Sequence, residues 1–346
     1  MLVVRAIQKD DMEALFELVQ QAESGLTTLK ISKTSLAERV AESLLAFAKE
    51  HATPQGQPYV FVMEDLATGA LVGTSSIYAK VGGFQPFYSY EIRKTVKESK
   101  KLNLRKEIEA LHLSAEHDGP TEIGSLFLSP DFWGGGNGRV LALSRFMFIA
   151  DYPGRFENEI IAELRGVVDE QGRSPLWTAL GSHFFQMKYP KADTLSTTDK
   201  RIIADLMPQH PIYIPLLPRV AQGVIGKVHK RTEPAMALLK QEGFEYRGVV
   251  DIFDGGPAVH CEVKNVRTVR ESRLMKIAEV VPEIENNANN HHTDHLLSNG
   301  RLDFRCCRGS VRIDGDAVSI EADTASSLRV SVGDTLRVVT LRPQNL

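Results

Sequence analysis

The chain has 346 residues, 42% of them hydrophobic and 25% charged, with Lys+Arg 41 against Asp+Glu 44 and a formal net charge of −3. This composition excludes long disorder and fibrous or collagen-like architectures, and the near-neutral balance argues against a nucleic-acid binder, which needs a basic surplus or stripe. No run of about 18 apolar residues is present, so no membrane span is expected. Polar residues from Gln8 onward come too early for a signal peptide, and three cysteines (Cys261, Cys306, Cys307) cannot build a disulfide framework, so the expected compartment is the cytoplasm.

Length divided by about 150 predicts two domains with room for a small third. In chain order, residues 2–7 read as a strand, followed by a helix that starts near Asp10 or Asp11 and is lined by Met12, Leu15, Phe16, Leu18 and Val19. A second amphipathic helix is expected from about Ser35 to Ala48. Residues 59–65 and 71–77, joined at Thr68-Gly69, are β-branched and aromatic and predict a hairpin. The densely charged stretch 93–110 is expected to be a surface helix. A strand at 122–128 is predicted to feed the loop Trp133-Gly134-Gly135-Gly136-Asn137-Gly138 and a helix from Arg139 to about Ala150.

A βα repeat is then expected, with a strand at 160–168 and a helix at 175–184. Helices at 201–206 and 234–241 follow, and a strand region at 244–254 ends in Asp254-Gly255-Gly256-Pro257. Beyond Val266, an Asn- and His-rich stretch at 282–295 precedes short strand-like runs punctuated by Asp314-Gly315-Asp316 and Gly333-Asp334. These predict a small all-β, barrel-like module starting near residue 268.

A strand, a glycine-rich turn and a helix N-terminus together make a phosphate cradle, because unpaired N–H groups converge where the helix dipole is positive. The loop at 133–138 lacks the lysine of a P-loop and the third glycine of a dinucleotide fingerprint. On spacing alone a tight βα turn is the competing reading. The run Leu238-Leu239-Lys240-Gln241-Glu242-Gly243-Phe244 reads as a helix closed by a left-handed glycine, with Phe244 folding back on Leu239.

Together these segments resemble the GNAT acyl-CoA N-acyltransferases: the opening Val4-Arg5-Ala6-Ile7, the hairpin at 59–77, the glycine loop and the Leu-Leu-x-x-x-Gly-Phe pattern. In that family the glycine loop holds the CoA pyrophosphate. Trp133 stands here where an Arg or Gln is usual. About a hundred residues separate the loop from Leu238–Phe244, and the intervening Glu163-Leu164-Arg165-Gly166, Ser174-Pro175-Leu176-Trp177 and Met207-Pro208-Gln209-His210 are similar to one branch, the arginine N-succinyltransferase family. Gly25-Leu26-Thr27-Thr28-Leu29, Ser144-Arg145-Phe146-Met147-Phe148 and Asp251-Ile252-Phe253-Asp254-Gly255-Gly256-Pro257 resemble it too.

The resemblance implies an α+β fold: two GNAT-like halves with mixed central sheets at 1–155 and 156–267, and the C-terminal β module at 268–346. It implies transfer of succinyl from succinyl-CoA, as co-substrate, to the α-amine of L-arginine, the first step of arginine catabolism, without a metal. The expected partners are those two small molecules, with no nucleic acid or membrane, in a homo-oligomer or a hetero-oligomer with a related chain. The alternatives are another amine such as ornithine, another acyl donor, or a non-catalytic CoA- or arginine-binding subunit.

Acyl transfer to an amine requires a neutral nucleophile, donors for the oxyanion and a proton for the thiolate. No cysteine lies in a recognisable nucleophile setting, so direct attack in a ternary complex is expected. The resemblance marks His229, in Lys227-Val228-His229-Lys230-Arg231, as the catalytic residue, its cationic neighbours favouring the neutral imidazole. It also implies cofactor binding by Leu126, through its main chain, and by Gly134, Gly135, Gly136, Asn137 and Gly138. His117 is a second acid–base candidate, with a loop hydrogen bond as the competing role. Asp251, Asp254 and Glu163 are candidates for the guanidinium of arginine, Arg165 and the Gly25–Thr28 loop for its α-carboxylate, and Arg139 or Arg145 for the succinyl carboxylate. The cluster His291-His292-Thr293-Asp294-His295 lacks the rigid scaffold of a metal site, and none is expected.

Overall fold

The hairpin signal at 59–77 marks the centre of the fold. In the computed structural model, which describes residues 1–22, 32–49, 53–198, 201–284 and 294–343, β1 (Leu2–Ala6) and the hairpin β2 (Pro58–Asp65) and β3 (Ala70–Tyr78) pair antiparallel in sequence. Gly69 turns the hairpin at φ +72°. One face is covered by α1 (Met12–Gln20) and α2 (Lys33–Ala48), which bury Leu15, Leu18, Leu36 and Val40 against Val60 and Val62.

The other face carries α3 (Asn137–Asp151), whose residues from Val140 to Ile149 are all buried. A helix apolar on every side must be enclosed on every side. Its Phe148 sits among Phe47, Tyr59, Phe61 and Phe304, with ring centroids 5.3–5.4 Å apart.

The charged stretch expected as a helix is instead a long two-stranded ribbon, β4 (Gly82–Ser99) and β5 (Leu104–Asp118). Its charges find partners across the strands: Lys94 meets Glu107 at 2.9 Å and Glu109 at 3.3 Å. Cross-strand pairing of opposite charges is the sheet counterpart of helical i,i+4 pairing, and it lets the ribbon carry its dense charge. Asn103, at φ +47°, reverses the chain at the tip. The expected helix at 175–184 forms as two short helices, Pro175–Ala179 and Gly181–Phe185.

The remaining strands are β6 (Thr121–Leu128), β7 (Glu159–Glu163), β8 (Ile212–Tyr213), β9 (Glu245–Val250), β10 (Pro257–Glu262), β11 (Arg273–Val281), β12 (His295–Ser298), β13 (Arg305–Gly309), β14 (Val311–Asp314), β15 (Ala317–Glu321) and β16 (Thr335–Thr340). Among the described residues all strands join one mixed sheet, in the order β14-β15-β11-β16-β12-β13-β1-β2-β3-β6-β7-β10-β9-β4-β5-β8. Strands of both expected halves, 1–155 and 156–267, contribute to this one mixed sheet. The boundary foreseen near residue 155 falls between β6 and β7, which pair in parallel. The helix Glu233–Gln241 ends as its sequence predicts, with Gly243 at φ +100° and the Phe244 amide donating to the Leu239 carbonyl at 3.0 Å.

The C-terminal strands do not form the expected barrel. They continue the main sheet through β13, whose Cys307, Cys306 and Arg305 face Val3, Val4 and Arg5 of β1, and no pairing among the described residues closes them on themselves. The reason is a shared core. Phe304 is fully buried beside Phe61 and Phe148, while Val3 packs with Ile277, Leu297 and Val338.

Candidate active site

The sheet opens where the glycine loop leaves it. The parallel strands β6 and β7 are in register only at Thr121–Ile160 and Glu122–Ile161. Beyond that point the β7-facing edge of β6 has no strand partner among the described residues. On its other edge β6 pairs with β3, with a register shift that leaves Ser75 opposite both Ser125 and Leu126. Ser125 takes φ +50°, uncommon for a side chain other than glycine, as a bulge demands. Half-buried Leu126 thus lies on a kinked strand edge beside the cleft left where the β6–β7 pairing stops.

At the mouth of this cleft, Gly134, Gly135 and Gly136 follow one another at φ +92°, +57° and +84°, and Gly136 caps α3. Three consecutive left-handed residues explain the glycine run. Asn137 steadies the turn, its amide donating to Gly134 O at 3.1 Å and its Nδ2 to Phe132 O at 3.0 Å. The amides of Gly134, Gly135, Gly136, Gly138 and Arg139 have no acceptor among the described residues. They form an anion-ready cluster at a helix N-terminus. Trp133 is exposed, and its indole Nε1 donates to Leu128 O at 2.9 Å, bracing the strand end.

The loop has a cationic neighbour that sequence reasoning missed. Arg308, on β13, donates from Nη1 to the carbonyl of Gly135 at 2.5 Å. It lies 173 positions further along the chain, and only the β1–β13 pairing brings it there. Arg139 is pinned by Gln241 at 2.6 Å, while burial, Arg342 and Arg267 depress its pKa.

His229 is attached to the far arm of the cleft. Its amide donates to Arg165 O at 2.8 Å, and Val228 bridges Gly166 on the continuation of β7. The Arg231 amide donates to His229 Nδ1 at 3.2 Å, which holds the neutral ring with its proton on Nε2. Burial, then the Arg165 guanidinium, lower the imidazole pKa, with Asp254 opposing. Among the described residues half-buried Arg165 makes no side-chain hydrogen bond, and its Nε is buried without a partner there.

Arg145 projects from α3 toward β6. It is 3% exposed, and its guanidinium donates only to backbone carbonyls: Nε to Ala142 at 3.0 Å and Nη1 to Gly124 at 3.5 Å. No carboxylate answers its charge among the described residues, and burial pulls its pKa down to about 9.

The other candidates have partners in the local structure. Asp254 accepts from Gly166 N at 2.7 Å and Gly256 N at 2.8 Å, and Asp251 from Phe253 N and Asp254 N at 2.7 Å each. They staple the 251–256 turn to the end of β7, and burial raises both pKa values, with Asp254 adding to the rise at Asp251. Glu163 closes β7 opposite Ala258. His117, exposed, contacts Gly83 O through Nδ1 at 2.9 Å. The Gly25–Thr28 loop and His291, His292 and Thr293 lie outside the described residues. Among the described residues no group of His, Cys, Asp and Glu is arranged to hold a metal. All three cysteines are free and buried, with Cys261 pushed up to about 11, Cys307 to about 12 and Cys306 well above the ordinary thiol.

Comparison with known proteins agrees over the whole chain. The family profile "Arginine N-succinyltransferase beta subunit" matches residues 2–268, and that of its C-terminal domain matches 275–340. Arginine N-succinyltransferase of Escherichia coli (strain 55989 / EAEC) is 39% identical over 349 residues, covering 99% of this chain and 98% of the relative. The Shigella flexneri protein of the same name is likewise 39% identical over 99% and 98%. The solved structure of arginine/ornithine succinyltransferase subunit AI from Pseudomonas aeruginosa superposes with a TM-score of 0.88 at 32% identity, covering 99% of both chains. The chain belongs to the arginine N-succinyltransferase family of acyltransferases.

Proposed function

We propose that the chain transfers succinyl from succinyl-CoA to the α-amine of L-arginine, by direct attack, in the cleft between β6 and β7. This would be the entry step of arginine catabolism. The observation that carries this reading is the cleft itself, with unpaired amides at its mouth, a bulged strand edge along one arm and His229 on the other.

The CoA pyrophosphate sits on the amides of Gly134, Gly135, Gly136 and Gly138, and Asn137 keeps the loop in shape. Arg308 adds charge from the C-terminal strands, which gives those strands a role in donor binding. The pantetheine runs along the open edge of β6 past Leu126, which binds through its main chain. From Leu128 to Gly124 is about 13 Å of strand, an interval an extended pantetheine arm spans. That brings the acyl group to the depth of Arg145, which supplies the cation for the succinyl carboxylate.

The amine nitrogen attacks the thioester carbonyl carbon and the carbon–sulfur bond breaks. The proton released by the attacking amine passes to the departing sulfur, toward which the neutral ring of His229 donates its Nε2–H as a hydrogen bond, so amide and thiol form and the ring stays neutral. Arg165, with no side-chain hydrogen bond among the described residues and beside His229, holds the α-carboxylate and so places the α-amine next to the ring. The high thiol pKa values support direct attack over an acyl-cysteine intermediate.

Agmatine, which is arginine without its α-carboxylate, tests this arrangement. Its kcat/KM should fall at least a hundredfold below that of L-arginine in the native enzyme, and Arg165→Met should shrink that ratio toward one. Equal use of both amines by the native enzyme would reject Arg165 as the carboxylate partner.

A further inference from the structure

Away from the cleft, the joint between β1 and β13 sets two arginines side by side. Arg5 and Arg305 are register partners and are only 7% and 5% exposed. Like charges placed opposite each other on paired strands repel, and burial strengthens the repulsion. Arg5 is neutralised by Asp11, through bonds of 2.7 and 2.8 Å, and by Glu64 at 2.5 Å. Arg305 is not. Its one side-chain hydrogen bond runs from Nε to the carbonyl of Ser327, and it forms no ion pair among the described residues. Arg329 nearby, at φ +57°, also carries a guanidinium with no hydrogen-bond partner there.

These three arginines line one cavity of about 310 Å³, with the half-buried Leu44 and Leu302 and the exposed Ala48 among its apolar walls. Asp303, exposed, also lines it and pairs with neither Arg305 nor Arg329 among the described residues. In the sheet order β1-β2-β3-β6, the β1 wall stands three strands from the acyl cleft, about 14 Å at ordinary strand spacing. It is a separate place.

We infer that this cavity binds a small organic carboxylate with an apolar body, its carboxylate on Arg305 and Arg329 and its body against Leu44, Ala48 and Leu302. Guanidinium forks match a carboxylate in geometry and charge. The apolar walls suit a hydrocarbon body and would leave the remaining oxygens of an inorganic anion unsolvated. Burial and the neighbouring Arg329 and Arg5 depress the Arg305 pKa, with Glu64 opposing, and an anionic occupant would relieve that stress. It would thereby reinforce the pairing that joins the C-terminal strands to the rest of the sheet.

Calorimetric titration of the full-length protein with benzoate, benzyl alcohol and inorganic phosphate tests the inference. Benzoate should bind at least tenfold more tightly than either of the others and raise Tm. Arg305→Met should weaken benzoate at least tenfold, as should Arg329→Asn. The second variant is exposed and keeps a residue tolerant of left-handed backbone, so it serves where the first fails to fold. Arg145→Met should leave benzoate binding unchanged, which separates this cavity from the acyl cleft. Absence of benzoate binding, equal binding of the alcohol or of phosphate, indifference to both arginine variants, or loss of benzoate in Arg145→Met would each overturn it.

Discussion

Arg145 offers the sharpest test of how the donor is chosen. Its guanidinium uses two of its five N–H donors on carbonyls and is almost wholly buried, leaving a fork for an incoming carboxylate. Two unit charges about 4 Å apart, at an effective dielectric constant of about 20, attract by about 4 kcal/mol. That lies within the range of about 2–5 kcal/mol for truncating one member of a buried, hydrogen-bonded charge pair. At about 1.4 kcal/mol per tenfold, Arg145→Met should lower kcat/KM for succinyl-CoA by roughly a hundredfold to a thousandfold. Acetyl-CoA lacks the second carboxylate, so its kcat/KM should be unchanged or improved, and KM for L-arginine should stay within about threefold. Methionine also removes a buried charge that has no counter-ion among the described residues, so Tm should not fall. Release of CoA thiol, followed with each donor at saturating arginine, gives these values. An equal loss with both donors, or no loss with succinyl-CoA, would refute the reasoning.

Replacing His229 with alanine should reduce kcat about a hundredfold or more while the dissociation constant for CoA stays within about threefold; an unchanged kcat removes His229 from the chemistry. Because burial and Arg165 lower the His229 pKa, the active neutral ring persists below the ordinary value of about 6.5. Activity should therefore be lost only as pH falls through a midpoint below that, and a midpoint above about 7 would contradict the neutral donor. Arg308→Ala should weaken CoA binding about three- to tenfold and flatten its salt dependence, with kcat nearly kept; titrations at two ionic strengths measure both. Iodoacetamide at neutral pH should leave activity intact, since all three thiols are buried and their pKa values raised, and rapid inactivation protected by succinyl-CoA would point to a cysteine in the cleft.

Local chemistry made much of this site legible in the sequence. Three adjacent glycines announce a backbone that other residues cannot adopt, and Gly243 with Phe244 announces a helix end; both are short-range signals. The hairpin at 59–77 was equally plain from its β-branched residues and its Gly69 turn. The ribbon at 82–118 was not, because its charges pair across strands rather than along a helix, and Lys94–Glu107 is invisible until the register is known. The C-terminal strands read as a separate barrel because nothing local reveals that Val3 pairs with Cys307 or that Phe304 completes the core around Phe148. For the same reason Arg308 could not be foreseen beside the glycine loop. The lone charge of Arg145 was hidden too, since the type and position of a residue do not disclose which counter-ions the fold withholds.

The central claim is tested most directly by mixing the purified chain with succinyl-CoA and L-arginine, following thiol release and locating the acyl group on the product by mass spectrometry. The account predicts arginine-dependent release with succinyl on the α-nitrogen, and acetyl-CoA as a poor donor. No release with L-arginine from a chain that still binds CoA, or acylation at the guanidinium, would contradict it.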